Sequence, residues 1–137
     1  MAGYSGAPLV KKLGIRPGDA IALLDRPRDW TIDGLPENVR VGARARGPLD
    51  LIVAFFDRRA KLERRLAALI GALDPGGSLW IAWPRKAAGH VSDISENGLR
   101  ELVLPRGLVD VKVAALDEDW SALKFVWRKE LRPGGAG

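Results

Sequence analysis

Cysteine is absent from the chain. That removes disulfides, a thiolate nucleophile, cysteine-ligated zinc and iron–sulfur clusters at one stroke. Histidine occurs once, as His90. A multi-histidine metal site is therefore excluded, no metal is expected, and a histidine-based catalytic triad has little to stand on. No apolar run approaches the roughly 18 residues of a membrane span. The opening Met1-Ala2-Gly3-Tyr4-Ser5-Gly6 lacks the basic-then-apolar layout of a signal peptide. A soluble cytoplasmic protein with no membrane partner is the expectation.

What is present is 137 residues, 47% of them hydrophobic. This length supports one self-sufficient core, and a single domain is expected over residues 1–131, with 132–137 as a disordered tail. Lys and Arg together number 22 against 17 Asp and Glu, a formal charge of +5. The surplus is +3 over residues 1–49, +3 over 50–86 and −1 over 87–137. A surplus so spread reads as a solvated basic surface, and nucleic acid is not the expected partner.

Apolar patterning sets out the elements. Ala7–Gly14 reads as a short helix closed by Gly14, after a flexible lead at Gly3–Gly6. Ala20–Leu24 is a continuous apolar run, as in a strand covered on both faces. Asn38–Ala45 alternates weakly as a second strand. Leu51–Phe56 is a third, fully apolar strand between Asp50 and Asp57. Leu62, Leu66, Leu69, Ile70 and Leu73 form one stripe of a helix over 59–73. Asp74-Pro75-Gly76-Gly77 stops that helix, and Ser78–Trp83 is the next strand. Ser95 is placed to cap a helix carrying Leu99, Leu102 and Val103. Two alternating segments, Val109–Val113 and Leu123–Trp127, close the chain as a hairpin through Asp117–Ser121.

Strands alternating with helices predict an α/β three-layer sandwich around a mainly parallel six-stranded sheet. With the first strand central, the expected order is 2-1-3-4-6-5, the last strand antiparallel. The alternating charges of strand 5 suit a sheet edge, and a monomer or weak dimer is expected.

The run from Asp50–Phe56 through the 59–73 helix, Pro75-Gly76-Gly77 and strand 78–83 resembles the second half of a class I methyltransferase core. Across nearly the whole chain a more specific set of segments resembles the bacterial domain-of-unknown-function family 3052. These segments are Tyr4–Leu9, Lys11–Ile15, Leu49-Asp50, Pro75–Pro84, Gly107–Val113 and Asp117–Val126. That family brings no activity or catalytic residues with it. The methyltransferase likeness implies a Rossmann-like core and a cofactor, S-adenosylmethionine. It also implies a glycine-rich turn after strand 1 and an acid at the end of strand 2. Here strand 1 runs into Asp25-Arg26-Pro27-Arg28-Asp29, without glycine, and strand 2 ends in Ala43-Arg44-Ala45-Arg46. Side chains and a proline fill the turn, so no cofactor is expected and S-adenosylmethionine is disfavoured.

Ligands of open α/β sheets sit beyond the carboxyl ends of the strands, where strand order reverses. In the expected order that rim gathers Asp25, Arg28, Asp57, Arg58, Arg85, Lys86, His90 and Asp93. Such a mixture can hold a phosphate or carboxylate, or be ordinary strand-end charge. His90 with Asp93 three residues on is a candidate acid–base pair, and Asp25 with Asp57 a candidate carboxylate dyad. Trp80 and Trp83 face opposite sides of a strand and belong to the core. Trp30 and Trp120 lie in loops and, if exposed, mark an interaction surface. The expected function is that of a small, non-catalytic methyltransferase-like domain that binds a protein partner or a small anionic ligand. The alternatives are a small-molecule or phosphate-ligand enzyme using the charged rim, and nucleic-acid binding through the diffuse basic surface.

Overall fold

The computed structural model describes residues 8–131. The flexible lead and the tail expected from sequence lie outside these residues. Six strands form one sheet: β1 (Ala20–Leu24), β2 (Arg40–Gly42), β3 (Leu49–Phe55), β4 (Leu73–Pro84), β5 (Leu108–Ala115) and β6 (Trp120–Trp127). Their order is β2-β1-β3-β4-β6-β5, as the alternation of elements predicts. The β1–β2, β1–β3 and β3–β4 pairs are parallel, whereas β6 runs antiparallel to both β4 and β5.

One face is covered by two helices, α2 (Arg59–Ala72) and α3 (Glu96–Val103). Leu62, Leu66 and Leu69 of α2 and Leu99 and Val103 of α3 are buried against Ile52, Leu79, Ile81 and Phe125 of the sheet. Ser95 caps α3 as expected, its Oγ accepting the Gly98 N–H at 3.1 Å. Among the described residues, the second face is covered by the five-residue α1 (Leu9–Leu13), the loop that follows β1 and Leu116 of the closing hairpin. Leu13, Ile15, Trp30 and Leu116 provide its cover, over Ile21, Val53, Phe55 and Trp80. Trp80 and Trp83 therefore fall in opposite layers, as their odd spacing requires.

Several boundaries differ from the sequence reading: β3 begins at Leu49, β5 spans Leu108–Ala115 and β6 begins at Trp120, while the shifts of β4 and β2 have clear physical causes. β4 begins at Leu73, directly after α2, because Leu73 pairs with Leu49 before the chain bulges and resumes at Ser78 opposite Leu51. A Cβ on Gly77 would lie 2.8 Å from the Leu49 carbonyl oxygen, so this close approach needs glycine. β2 shrinks to three residues, all exposed, because it is an edge strand paired with β1 alone.

α3 is tied to β5 by charge. Arg100 donates to Asp110 at 2.9 Å, to Asn97 at 3.0 Å and to Glu96 at 3.2 Å. The hydrogen bond from Arg100 is the main reason the Asp110 carboxyl titrates below its ordinary value.

Two outcomes are expected. Leu66→Ala removes a side chain that is 1% exposed. It should lower the unfolding free energy by about 2–5 kcal/mol in urea titration. Asp110 has a depressed folded-state pKa, so its contribution to stability is present above the ordinary carboxylate pKa of about 4 and lost as pH falls through and below it. Urea midpoints of Asp110→Asn should therefore fall less steeply with acidification than those of the parent chain.

Candidate functional site

The strand order reverses at β1, which has β2 on one side and β3 on the other. The carboxyl ends of β1 and β3 are thus the place where this architecture leaves a crevice. The turn after β1 is shaped by side chains. Asp25 adopts the left-handed conformation at φ 56°, which a short polar side chain tolerates. The Trp30 N–H donates to the Pro27 carbonyl at 3.0 Å, and Arg26 Nη1 donates to the Trp30 carbonyl at 2.8 Å. These bonds fold residues 26–30 back over the sheet and drive the Trp30 ring into the core.

Trp30 is 4% exposed. The condition for an interaction surface at this residue is not met, because its ring packs edge-on against Phe55 with centroids 4.9 Å apart. Trp120, half-buried, meets the same Phe55 ring edge-on at 5.0 Å. Trp120 is not in a loop as expected but opens β6, so a loop tryptophan and a strand tryptophan flank one ring at the end of β3. Phe55, placed in the core by its apolar run, is the residue that joins them. The Trp30 Nε1–H is buried and has no acceptor among the described residues. An unpaired buried donor of this kind costs about 1–3 kcal/mol.

The charged rim is divided into two separate groups. At the start of α2, Ser92 donates its hydroxyl to the Asp57 carbonyl at 2.8 Å, and Asp93 accepts the Arg59 N–H at 2.7 Å. Asp93 thereby caps a helix 34 residues away in sequence, where Arg58 offers no capping side chain. At the closing hairpin, Arg85 Nη1 donates to the carbonyls of Asp117 and Glu118 at 3.4 and 3.0 Å. His90 Nε2 lies 2.9 Å from Asp119 Oδ1, so its partner is Asp119 and not Asp93. Lys86 starts an exposed 3-10 turn, and Arg28 and Arg58 are exposed.

Asp25 and Asp57 form no dyad among the described residues. Asp25 faces Arg65 of α2 at 3.9 Å. Asp119 and Arg65 escape a sequence reading because each lies about 30 or more residues from its partner. The only available signal was the hairpin register, which pairs Pro84 with Trp120 and so brings the 85–90 loop beside the 117–119 turn. The end of β2 is basic in space as in sequence. Arg40, Arg44 and Arg46 line a groove of about 410 Å³.

The acidic turn has a structural task of its own. Asp117 Oδ1 accepts the N–H groups of Asp119 at 2.7 Å and Trp120 at 2.8 Å. Asp117→Ala should cost about 1–2 kcal/mol, the worth of two partly exposed hydrogen bonds. Amide hydrogen exchange at residues 118–120 should quicken with it.

No protein-family model matches the chain, and no curated protein matches its sequence. Solved structures do share its fold. Fibrillarin from Aeropyrum pernix, solved with natively bound S-adenosyl-L-methionine, aligns with a TM-score of 0.58 at 16% identity, covering 86% of this chain and 73% of that one. Magnesium protoporphyrin IX methyltransferase from Synechocystis, with bound S-adenosylmethionine, gives 0.56 at 10% identity over 88% and 74%. The ribosomal protein L11 methylase of Lactobacillus delbrueckii gives 0.55 at 9% identity over 88% and 75%. The expectation of no cofactor, with S-adenosylmethionine disfavoured by the glycine-free turn, is corrected by these neighbours, two of which hold S-adenosylmethionine on this same fold. At such identities the shared property is architecture: the chain has the α/β fold of these methyltransferases.

Proposed function

We propose that this domain binds an S-adenosyl ligand at the carboxyl ends of β1 and β3, and that it works as a binding or regulatory module without transferring the methyl group. The observation that carries the reading is the buried, acceptor-free Trp30 Nε1–H beside the β1 turn. A ligand oxygen or ring nitrogen in the crevice would complete it. The exposed Asp57 carboxylate and the Phe55–Trp120 ring pair suit the sulfonium charge of such a ligand. When bound, S-adenosylmethionine supplies an electrophilic methyl group on sulfur. The residues that would hold it are Trp30, Asp57 and the backbone of the 25–29 turn.

The non-catalytic half of the reading rests on how the rim is used. Asp93 caps α2, Asp25 pairs with Arg65 and His90 pairs with Asp119 on the hairpin side. The groups most suited to moving a proton are engaged in holding loops together. Membership of the domain-of-unknown-function family 3052 is part of the same reading, supported by the segments quoted from the sequence. So is a cytoplasmic monomer or weak dimer; no helix among the described residues is long and apolar enough to cross a membrane.

Isothermal titration with S-adenosylmethionine and S-adenosylhomocysteine tests the first half. Binding in the micromolar range is expected, and Trp30→Phe should weaken it about 5- to 10-fold, the worth of one hydrogen bond. Absence of heat with both ligands at millimolar concentration would overturn it. Incubation with methyl-labelled donor and RNA, protein or small-molecule fractions should leave label incorporation at background. Turnover there would overturn the second half.

A further inference from the structure

Away from this rim, the thinly covered face of the sheet carries a group of cations. Lys112 of β5 and Lys124 of β6 stand directly opposite each other across the strands. Like charges in that position repel and destabilise an antiparallel pair. The Lys124 Nζ lies over the buried Trp80 ring, 5.9 Å from its centroid. Trp80 Nε1 in turn donates to the Leu13 carbonyl at 3.3 Å, which brings the end of α1 to the same place. From α1, Lys12 reaches across to the Ala115 carbonyl of β5 at 2.7 Å. Arg16 follows two residues after the α1 cap at Gly14 and acts on Lys124.

These groups are coupled. Burial, then the charge of Lys112, pulls the Lys12 ammonium below its ordinary value. Burial, then Lys112 and Arg16, does the same to Lys124. No carboxylate among the described residues counters the effect on Lys124. The fold therefore maintains a like-charge cluster at a cost in stability, against the aromatic floor of Trp80.

We propose that Lys12, Arg16, Lys112 and Lys124 form a binding site for a small oligophosphate anion. Three ammonium point charges and one guanidinium fork are the groups that recognise phosphate oxygens. The distance along β5 from Lys112 to Ala115, where Lys12 is anchored, is about 10 Å at strand rise. A chain of linked phosphates spans that length and a single phosphate does not. The anion relieves the Lys112–Lys124 repulsion, so it binds the folded chain and stabilises it. The site lies on a sheet face, independent of the strand-end crevice.

The probe is inorganic tripolyphosphate, titrated into the full chain at low ionic strength by calorimetry and thermal melting. Binding should raise Tm by about 2 °C or more at saturation. Lys112→Gln, at an exposed position, should raise the Tm of the ligand-free chain and weaken binding at least tenfold. Lys124→Gln should do the same. The groove pair Arg44→Ala/Arg46→Ala should leave affinity within twofold. A wild-type Tm unmoved by tripolyphosphate would overturn the proposal. So would loss of binding in the groove variant with Lys112→Gln unaffected. A short oligothymidylate binding more tightly than tripolyphosphate would count against a small anion and for a nucleic-acid backbone.

Discussion

Parallel strands buried in a sheet need cover on both faces, because neither face can be left to water without losing the burial that stabilises it. This chain meets the requirement unequally. β1, β3 and β4 receive two helices on one side and, on the other, a five-residue helix, a loop and Leu116 of the hairpin. Most of what distinguishes the molecule follows from that inequality. Where a helix would normally supply a row of apolar side chains, Leu13, Ile15 and Leu116 are joined by an indole: Trp30, folded back by the 26–30 turn onto Phe55. Using a tryptophan as cover has a consequence. Its ring is apolar but its N–H is not, and burying the whole side chain leaves that donor without an acceptor. The unpaired donor at the strand ends and the shortage of cover thus meet in one residue.

The strand-end loops are held by bonds of long sequence reach. Asp93 to Arg59, Ser92 to Asp57 and Arg85 to the 117–118 carbonyls close the loops against one another. Each is partly exposed, so each contributes modestly alone, and their joint effect is to fix the rim.

The fold was largely legible in the sequence because its signals are local. Ala20–Leu24 and Leu51–Phe56 are apolar without interruption, the α2 stripe repeats at helical spacing, and the last two strands alternate. Crossover handedness and strand adjacency then leave few sheet orders to choose from. The site was legible only in part. Asp25, Asp57, His90 and Asp93 are placed at strand ends by the same local signals, but their partners are not, since Arg65, Asp119 and Arg59 meet them through tertiary packing. Trp30 sits in a segment rich in charge and proline, and nothing local marks it as core. The start of β4 at Leu73 was hidden for a related reason. The Pro75-Gly76-Gly77 signal describes the bulge inside the strand as well as it describes a helix stop.

Charge distribution carries the coverage argument one step further. Ion pairs gather at α2, α3 and the hairpin loop: Arg59 with Glu63 and Glu101, Arg65 with Asp25, Arg100 with Glu96 and Asp110, and His90 with Asp119. Helices bring counter-charges with them, because residues four apart share a face and acids readily occupy those positions. The helical layer still carries a basic surplus, since α2 has Arg59, Lys61, Arg64 and Arg65 against Glu63. What separates the two faces is arrangement: on the helices Arg59 and Arg100 meet acids, while Lys112 and Lys124 lie opposed on the thin face. A helix that covered the second face would have buried the lysine pair beyond solvent, where such charges must lose their protons or find partners.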